Sequence, residues 1–138
     1  MSTIHNTAII GSDVVIGENV AIGAYSIIED GVKIANNNII KSSVFITGNT
    51  DIGTSNIFHP FCSIGSAPQD LKFKNEITKL SIGNNNIFRE YANINVGTEG
   101  GGGITLVGNN SLFMVGAHIA HDCIVGNNIV MANQATIA

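Results

Sequence analysis

A large apolar residue recurs at every sixth position from Ile4 through Ile10, Ile16, Ile22, Ile28, Ile34, Ile40, Ile46, Ile52 and Phe58 to Ile64. The phase returns at Ile82, Phe88 and Ile94, slips once across Gly100–Gly103, and resumes at Val107, Phe113, Ile119, Val125, Met131 and Ile137. A period of six fits neither an amphipathic helix nor a coiled coil. A small residue often follows the apolar one, as at Gly11, Gly17, Gly53, Gly83 and Gly108, and small or β-branched residues such as Ala8, Val20, Ser26, Cys62 and Ala117 stand four places after it. Asparagine pairs (Asn36-Asn37, Asn84-Asn85, Asn109-Asn110, Asn127-Asn128) mark the turns, where Asn tolerates left-handed backbone angles and bonds its own backbone. The pattern predicts short strands joined by tight turns, with three hexads closing one triangular coil of about 18 residues and the coils stacking as a parallel β-helix. A short-stranded sandwich has no reason to hold this phase. The fold class is therefore all-β, a single domain over residues 1–138, with about seven coils at ~4.8 Å each in a column roughly 30 Å tall.

Composition agrees. Hydrophobic residues make up 44 % of the chain and charged ones 12 %, which suits a filled core and excludes disorder. A net charge of −4 with six Lys and Arg gives no electrostatic footprint for nucleic acid. No apolar run approaches the roughly 18–20 residues of a membrane span, and the start MSTIHNTAIIG lacks the layout of a signal peptide, so a cytoplasmic protein is expected. Cys62 and Cys123 are too few for a disulfide framework and form no CxxC. Both fall on small inward positions, about three coils apart, and are expected to be free thiols.

The residue just before each inward position faces outward. One wall then carries Ile9, Ile27 and Phe45, the next Val15, Lys33 and Asp51, and the last Ala21, Ile39 and Ile57. Two apolar walls and one polar wall are what a prism needs to contact two neighbours in a three-fold assembly, so a homotrimer is expected.

Two segments break the hexads. Pro68–Leu80 holds the densest run of charge, and an insertion protruding from a regular stack is a favoured place for function. Thr98–Ile104 is a glycine run without the Gly-Lys-[Ser/Thr] of a phosphate loop, and reads as a plain flexible loop.

Of the four histidines, His5 and His59 have no evident partner in sequence and read as surface or packing residues. His118 and His121 lie in Gly116-Ala117-His118-Ile119-Ala120-His121-Asp122-Cys123. The hexad phase puts His118 on an outer wall and His121 and Asp122 at a corner. A histidine beside a carboxylate suits a general base, because the carboxylate holds the tautomer and supports the imidazolium. The residues alone also leave open a turn histidine next to an acid, or a zinc site whose third ligand comes from elsewhere.

The hexads resemble those of the hexapeptide-repeat acyltransferases, and this resemblance implies that the helix is left-handed. Two stretches are more specific: Gln69-Asp70-Leu71-Lys72-Phe73 resembles the Q-D-L-K-[Tyr/Phe] loop, and Ala117–Cys123 the A-H-I-A-H-D-C segment, of the acyl-carrier-protein-dependent UDP-N-acetylglucosamine O-acyltransferases. These enzymes catalyse the first step of lipid A synthesis. The likeness runs from about Ile4 to Ala138. It implies His121 as catalytic base and Asp122 as its orienting partner, with Gln69, Asp70, Lys72 and His118 lining a substrate site between trimer subunits. It also implies acyl carrier protein and UDP-N-acetylglucosamine as partners, no metal, and no cofactor beyond the phosphopantetheine thioester of the donor. Where family members commonly read Ile-His-Arg-Gly-Thr, this chain reads Ile94-Asn95-Val96-Gly97-Thr98. Family members continue past the position of Ala138 with further coils, an oxyanion glycine and a helical domain, so the chain is expected to be a fragment or a shortened product. A catalytically inactive trimeric β-helix, or a hexapeptide acyltransferase with another donor or an amino-sugar acceptor, are the alternatives.

Overall fold

Residues 1–138 are described by a computed structural model. Each hexad supplies a strand, most of them two residues long, and the strands gather into three parallel sheets of seven, seven and six members. These sheets are the walls of the prism. Register partners are 18 residues apart where the hexads are unbroken, as in Ile9↔Ile27 and Ile27↔Phe45. The spacing grows to Ile57↔Ile87 across the charged insertion and to Ile87↔Leu112 across the glycine run. Both interruptions therefore leave the stack and rejoin it without shifting the walls. Residues in the insertion do not climb the column, so Cys62 and Cys123 are two coils apart rather than three. Both are free.

The asparagine pairs divide two tasks. The second of each pair takes a left-handed angle: Asn37, Asn85, Asn110 and Asn128 have φ between 58° and 63°. The first reaches to the neighbouring coil. Asn36 Oδ1 accepts the Glu18 N–H at 2.9 Å, Asn84 Oδ1 the Thr54 N–H at 2.7 Å, and Asn127 Oδ1 the Asn109 N–H at 2.8 Å.

The interior is a set of ladders. Ile22, Ile28 and Ile34 are buried, while Ile10 and Ile16, in the first coil, are half-buried. Phe58, Phe88 and Phe113 stack face to face at 4.8 and 4.9 Å, matching the rise between coils. One corner holds amides: Asn38, Asn56 and Asn86 are fully buried. Asn38 Oδ1 accepts the Asn56 N–H at 2.9 Å, Asn56 Oδ1 the Asn86 N–H at 3.0 Å, and Asn86 Oδ1 the Ser111 N–H at 3.0 Å. The side-chain amides donate to backbone carbonyls, Asn38 to Gly53 and Asn86 to Gly108, so burial leaves none of the three unpaired.

The outer walls correct the expectation drawn from the first coils. The Ala21 wall stays apolar, continuing through Ile87, Leu112 and Val130. The Ile9 wall turns polar in the fourth coil, with Ser63, Asn93, His118 and Thr136. The Val15 wall goes the other way, from Lys33, Asp51 and Ser81 to Leu106 and Ile124. The period governs the inner face, where packing demands it; the outer face changes with height. No helix is long and apolar enough to cross a membrane.

Candidate functional site

The strand His118–Ile119 ends at a corner whose turn residues are His121 and Asp122. Asp122 occupies the left-handed position of that turn, φ 65°, a place where a short polar side chain is tolerated. Its N–H donates to Thr105 Oγ1 at 2.9 Å in the coil below. The His121 Nδ1–H donates to Asp122 Oδ2 at 2.7 Å. An ionised carboxylate only accepts, so Nδ1 carries a proton, and in the neutral ring Nε2 keeps its lone pair. Thr98 supplies two more donors: its N–H to Asp122 Oδ1 at 2.7 Å, and its hydroxyl to Oδ2. Partial burial opposes the charge on Asp122, but the bonds from Thr98 and His121 outweigh it and hold the carboxyl below the usual aspartate range.

The charged insertion folds over this corner. Asp70 Oδ1 accepts the Lys72 N–H at 2.9 Å, and the Asp70 carbonyl accepts the Phe73 N–H, a turn that presents Lys72 to solvent. Glu76 fastens the loop at its other end. Its Oε1 accepts the Lys74 N–H at 2.7 Å and its Oε2 the Glu99 N–H at 3.2 Å. The Lys74 bond is the main reason that the Glu76 carboxyl sits below its usual range. Between loop and corner lies an open cleft of ≈ 690 Å³ whose lining residues are chiefly polar or charged, among them Asp70, Lys72, Glu76, Thr98, His121 and Asp122.

Of the six residues singled out from sequence, the structure thus gathers Asp70, Lys72, His121 and Asp122 around one cleft. Gln69 is exposed and does not line it. His118 stands on the adjoining wall, with Nδ1 3.2 Å from the Asn93 carbonyl. Asn95 is buried with its Nδ2 donating to Ser66 Oγ at 3.1 Å and its Oδ1 unpartnered, and Val96 packs in the core. His5 Nδ1 lies 2.9 Å from Thr7 Oγ1 and His59 Nδ1 3.7 Å from Glu90; neither lines the cleft. No group of three His, Cys, Asp or Glu side chains converges anywhere to hold a metal ion.

Sequence reasoning missed the glycine run. Thr98–Ile104 is an ordered part of the cleft rather than a plain loop. Thr98 Oγ1 accepts the Gly101 N–H at 3.1 Å and caps a 3-10 turn over Glu99–Gly101, whose residues form one side of the cleft. A threonine three places before a glycine is the only local sign of it.

Residues 13–48, within the stacked hexads, match the family described as bacterial transferase hexapeptide (six repeats). The whole chain is 46 % identical to an acyl-[acyl-carrier-protein]–UDP-N-acetylglucosamine O-acyltransferase of Thermodesulfovibrio yellowstonii, covering 54 % of it, and 53 % identical to one of Aliarcobacter butzleri, covering 53 %. A solved UDP-N-acetylglucosamine acyltransferase from Bacteroides fragilis superposes with a TM-score of 0.96 at 42 % identity, over 99 % of this chain and 53 % of that one. One from Moraxella catarrhalis gives 0.91 at 36 %, over 98 % and 60 %. Along its whole length the chain is similar to part of the UDP-N-acetylglucosamine O-acyltransferases, and its fold is the left-handed parallel β-helix of hexapeptide repeats. It spans about half the length of the curated relatives that it matches.

Proposed function

We propose that this chain carries the general base of an O-acyltransferase. In this reading a (hydroxy)acyl group passes from the phosphopantetheine thioester of acyl carrier protein to the 3-hydroxyl of UDP-N-acetylglucosamine, the opening step of lipid A synthesis. The observation that carries the reading is the His121 Nδ1–H bond to an ionised Asp122 at the edge of that cleft; the names of the relatives supply the substrates.

The chemistry follows from the tautomer. His121 Nε2, left with a lone pair, takes the proton of the sugar hydroxyl as its oxygen attacks the thioester carbonyl. The resulting imidazolium is stabilised by Asp122. When the tetrahedral intermediate collapses, the carbon–sulfur bond breaks and the thiolate leaves with the proton from Nε2, so the products are an ester and a free thiol. Lys72 offers one of the cleft's two exposed ammonium groups to the anionic diphosphate, and Asp70 an acceptor for sugar or ribose hydroxyls. Gln69 and His118, outside the cleft, contact substrate where an adjacent subunit completes the site. The assembly is a homotrimer in the cytoplasm, in which the apolar Ala21 wall of each subunit meets a different wall of the next.

The test is turnover of acyl-acyl carrier protein with UDP-N-acetylglucosamine by the chain extended to the length of its relatives and by variants of it; residues 1–138 alone are expected to show little or none. His121→Ala is expected to lose about 10²–10⁴ in rate with the fold intact, Asp122→Asn less. Lys72→Ala should raise KM for the nucleotide sugar more than it lowers kcat. A wild-type rate from His121→Ala overturns the assignment.

A further inference from the structure

A carboxylate that supports a catalytic histidine must itself be held, or it swings about its own side-chain bonds and takes the imidazole with it. The holding group here comes from outside both sequence motifs. The Thr98 N–H fixes Oδ1 of Asp122 and the Thr98 hydroxyl fixes Oδ2, so one residue engages both oxygens. The direction of the hydroxyl bond is set by its other partner. Thr98 Oγ1 already accepts the Gly101 N–H, and Oδ2 has no proton to give, so the single hydroxyl proton points at the carboxylate. The bonds therefore run from the Gly101 N–H through the Thr98 hydroxyl to Asp122 Oδ2, where they meet the His121 Nδ1–H. Thr98 is buried, 6 % exposed, which strengthens such a chain. The same turn is tied through the Glu99 N–H to Glu76 of the inserted loop.

We propose that Thr98 is a positioning residue for the His121–Asp122 pair, clamping both carboxylate oxygens so that the imidazole keeps its proton on Nδ1 and its lone pair toward the cleft. This rests on His121 acting as base, and it adds a specific route: Thr98 acts through Asp122 and not on substrate. A turn cap alone predicts something else, namely loss of melting temperature and of substrate affinity whatever stands at position 122.

The experiment measures kcat, KM and melting temperature for Thr98→Val and Thr98→Ser in the extended chain, each with Asp122 intact and in an Asp122→Ala background, beside His121→Ala. Valine keeps the backbone donor and the shape and removes only the hydroxyl; Thr98→Ala takes its place if valine impairs folding. The expected result is a kcat lowered about tenfold in Thr98→Val, equivalent to about 1.4 kcal/mol of barrier, with KM for the nucleotide sugar unchanged and activity restored by Thr98→Ser. In the Asp122→Ala background, removal of the hydroxyl should cost nothing further, the non-additivity of residues acting as one unit. A full additional loss in that background, or wild-type kcat in Thr98→Val while His121→Ala is inactive, overturns the role of Thr98 and leaves the base assignment standing. A wild-type rate from His121→Ala removes the base assignment and this inference together.

Discussion

Asp122 fills the space that a side chain on Gly101 would need: a β-carbon built on Gly101 lies 2.2 Å from the Asp122 Cγ. The Gly101→Ala substitution must push the carboxylate aside and break its bonds with Thr98. The expected outcome is a loss of acyl-transfer rate comparable to that of Asp122→Asn, with stability lowered by about 1–3 kcal/mol as for an overpacked site. Gly126→Ala is the control, since a β-carbon there meets nothing within 4 Å. Unchanged kinetics in Gly101→Ala would show that the carboxylate needs no fixed position.

The lowered pKa of Asp122 makes its contribution to stability depend on pH with a definite sign. An unfolded aspartate titrates near ~3.9, and the folded one lies below it. Ionised Asp122 therefore contributes fully above about pH 4–5, and the contribution fades as pH falls through the lower folded value. Glu90, brought down to about 2 chiefly by its bond from Arg89, titrates in the same window. Melting curves should show the gap between wild type and Asp122→Asn narrowing from pH 6 to pH 2.5. A gap that stays constant, in a Glu90→Gln background, contradicts the ionised carboxylate.

The two cysteines should differ in reactivity. Burial above all pushes the Cys62 thiol up to about 12, and its Sγ–H donates to the Arg89 carbonyl at 3.1 Å. Cys123 is half-buried and is raised as well, again chiefly by burial. Native alkylation at pH 8 should modify Cys123 first and leave Cys62 untouched until the protein unfolds. Two coils put them ~10 Å apart along the stack, beyond the roughly 7 Å reach of a disulfide. An intramolecular bridge in a non-reducing mass measurement would contradict the register.

The proposed assembly makes Ile39 and Ile87 of the Ala21 wall, which are 44 % and 37 % exposed in the single chain, charge-intolerant positions. Glutamate at either should leave each prism folded and separate the subunits, because an unpaired charge buried at an interface costs about 3–5 kcal/mol. Sedimentation would show a trimer for the wild type and a monomer for each variant. A wild-type monomer rejects the assembly.

The inner face was legible because packing imposes it: no other fold requires an apolar residue at every sixth position from Ile4 to Ile64. His121 and Asp122 were legible because they are neighbours in sequence, and Asp70 and Lys72 because they sit in the one charged interruption. Thr98 and Gly101 were not. They reach Asp122 from one coil away, across a run whose glycines read as mere looseness, and the requirement for a missing β-carbon appears only when the facing carboxylate is in place. The outer walls failed as an extrapolation for a related reason. Nothing in the stack constrains an outward residue, so Phe45 gives no warning of Ser63 directly above it.

The ladder of buried asparagines bears on how the chain finds its stacking order. The inner column of the Ile9 wall reads isoleucine at all seven levels, Ile10, Ile28, Ile46, Ile64, Ile94, Ile119 and Ile137, so a coil displaced by one whole level meets an identical surface there and loses no packing. The amide corner has no such tolerance. Its column reads Ser2, Val20, Asn38, Asn56, Asn86, Ser111 and Ile129, and its side-chain oxygens accept the backbone N–H of the coil above, so a mis-threaded coil that puts Val20 or Ile129 in the place of an amide leaves that N–H without its acceptor in the interior, at about 1–3 kcal/mol for each unpaired group. The isoleucines supply cohesion without an address. The asparagines give each coil its floor number, and that numbering brings Thr98, 24 residues distant in sequence, to the carboxylate of Asp122.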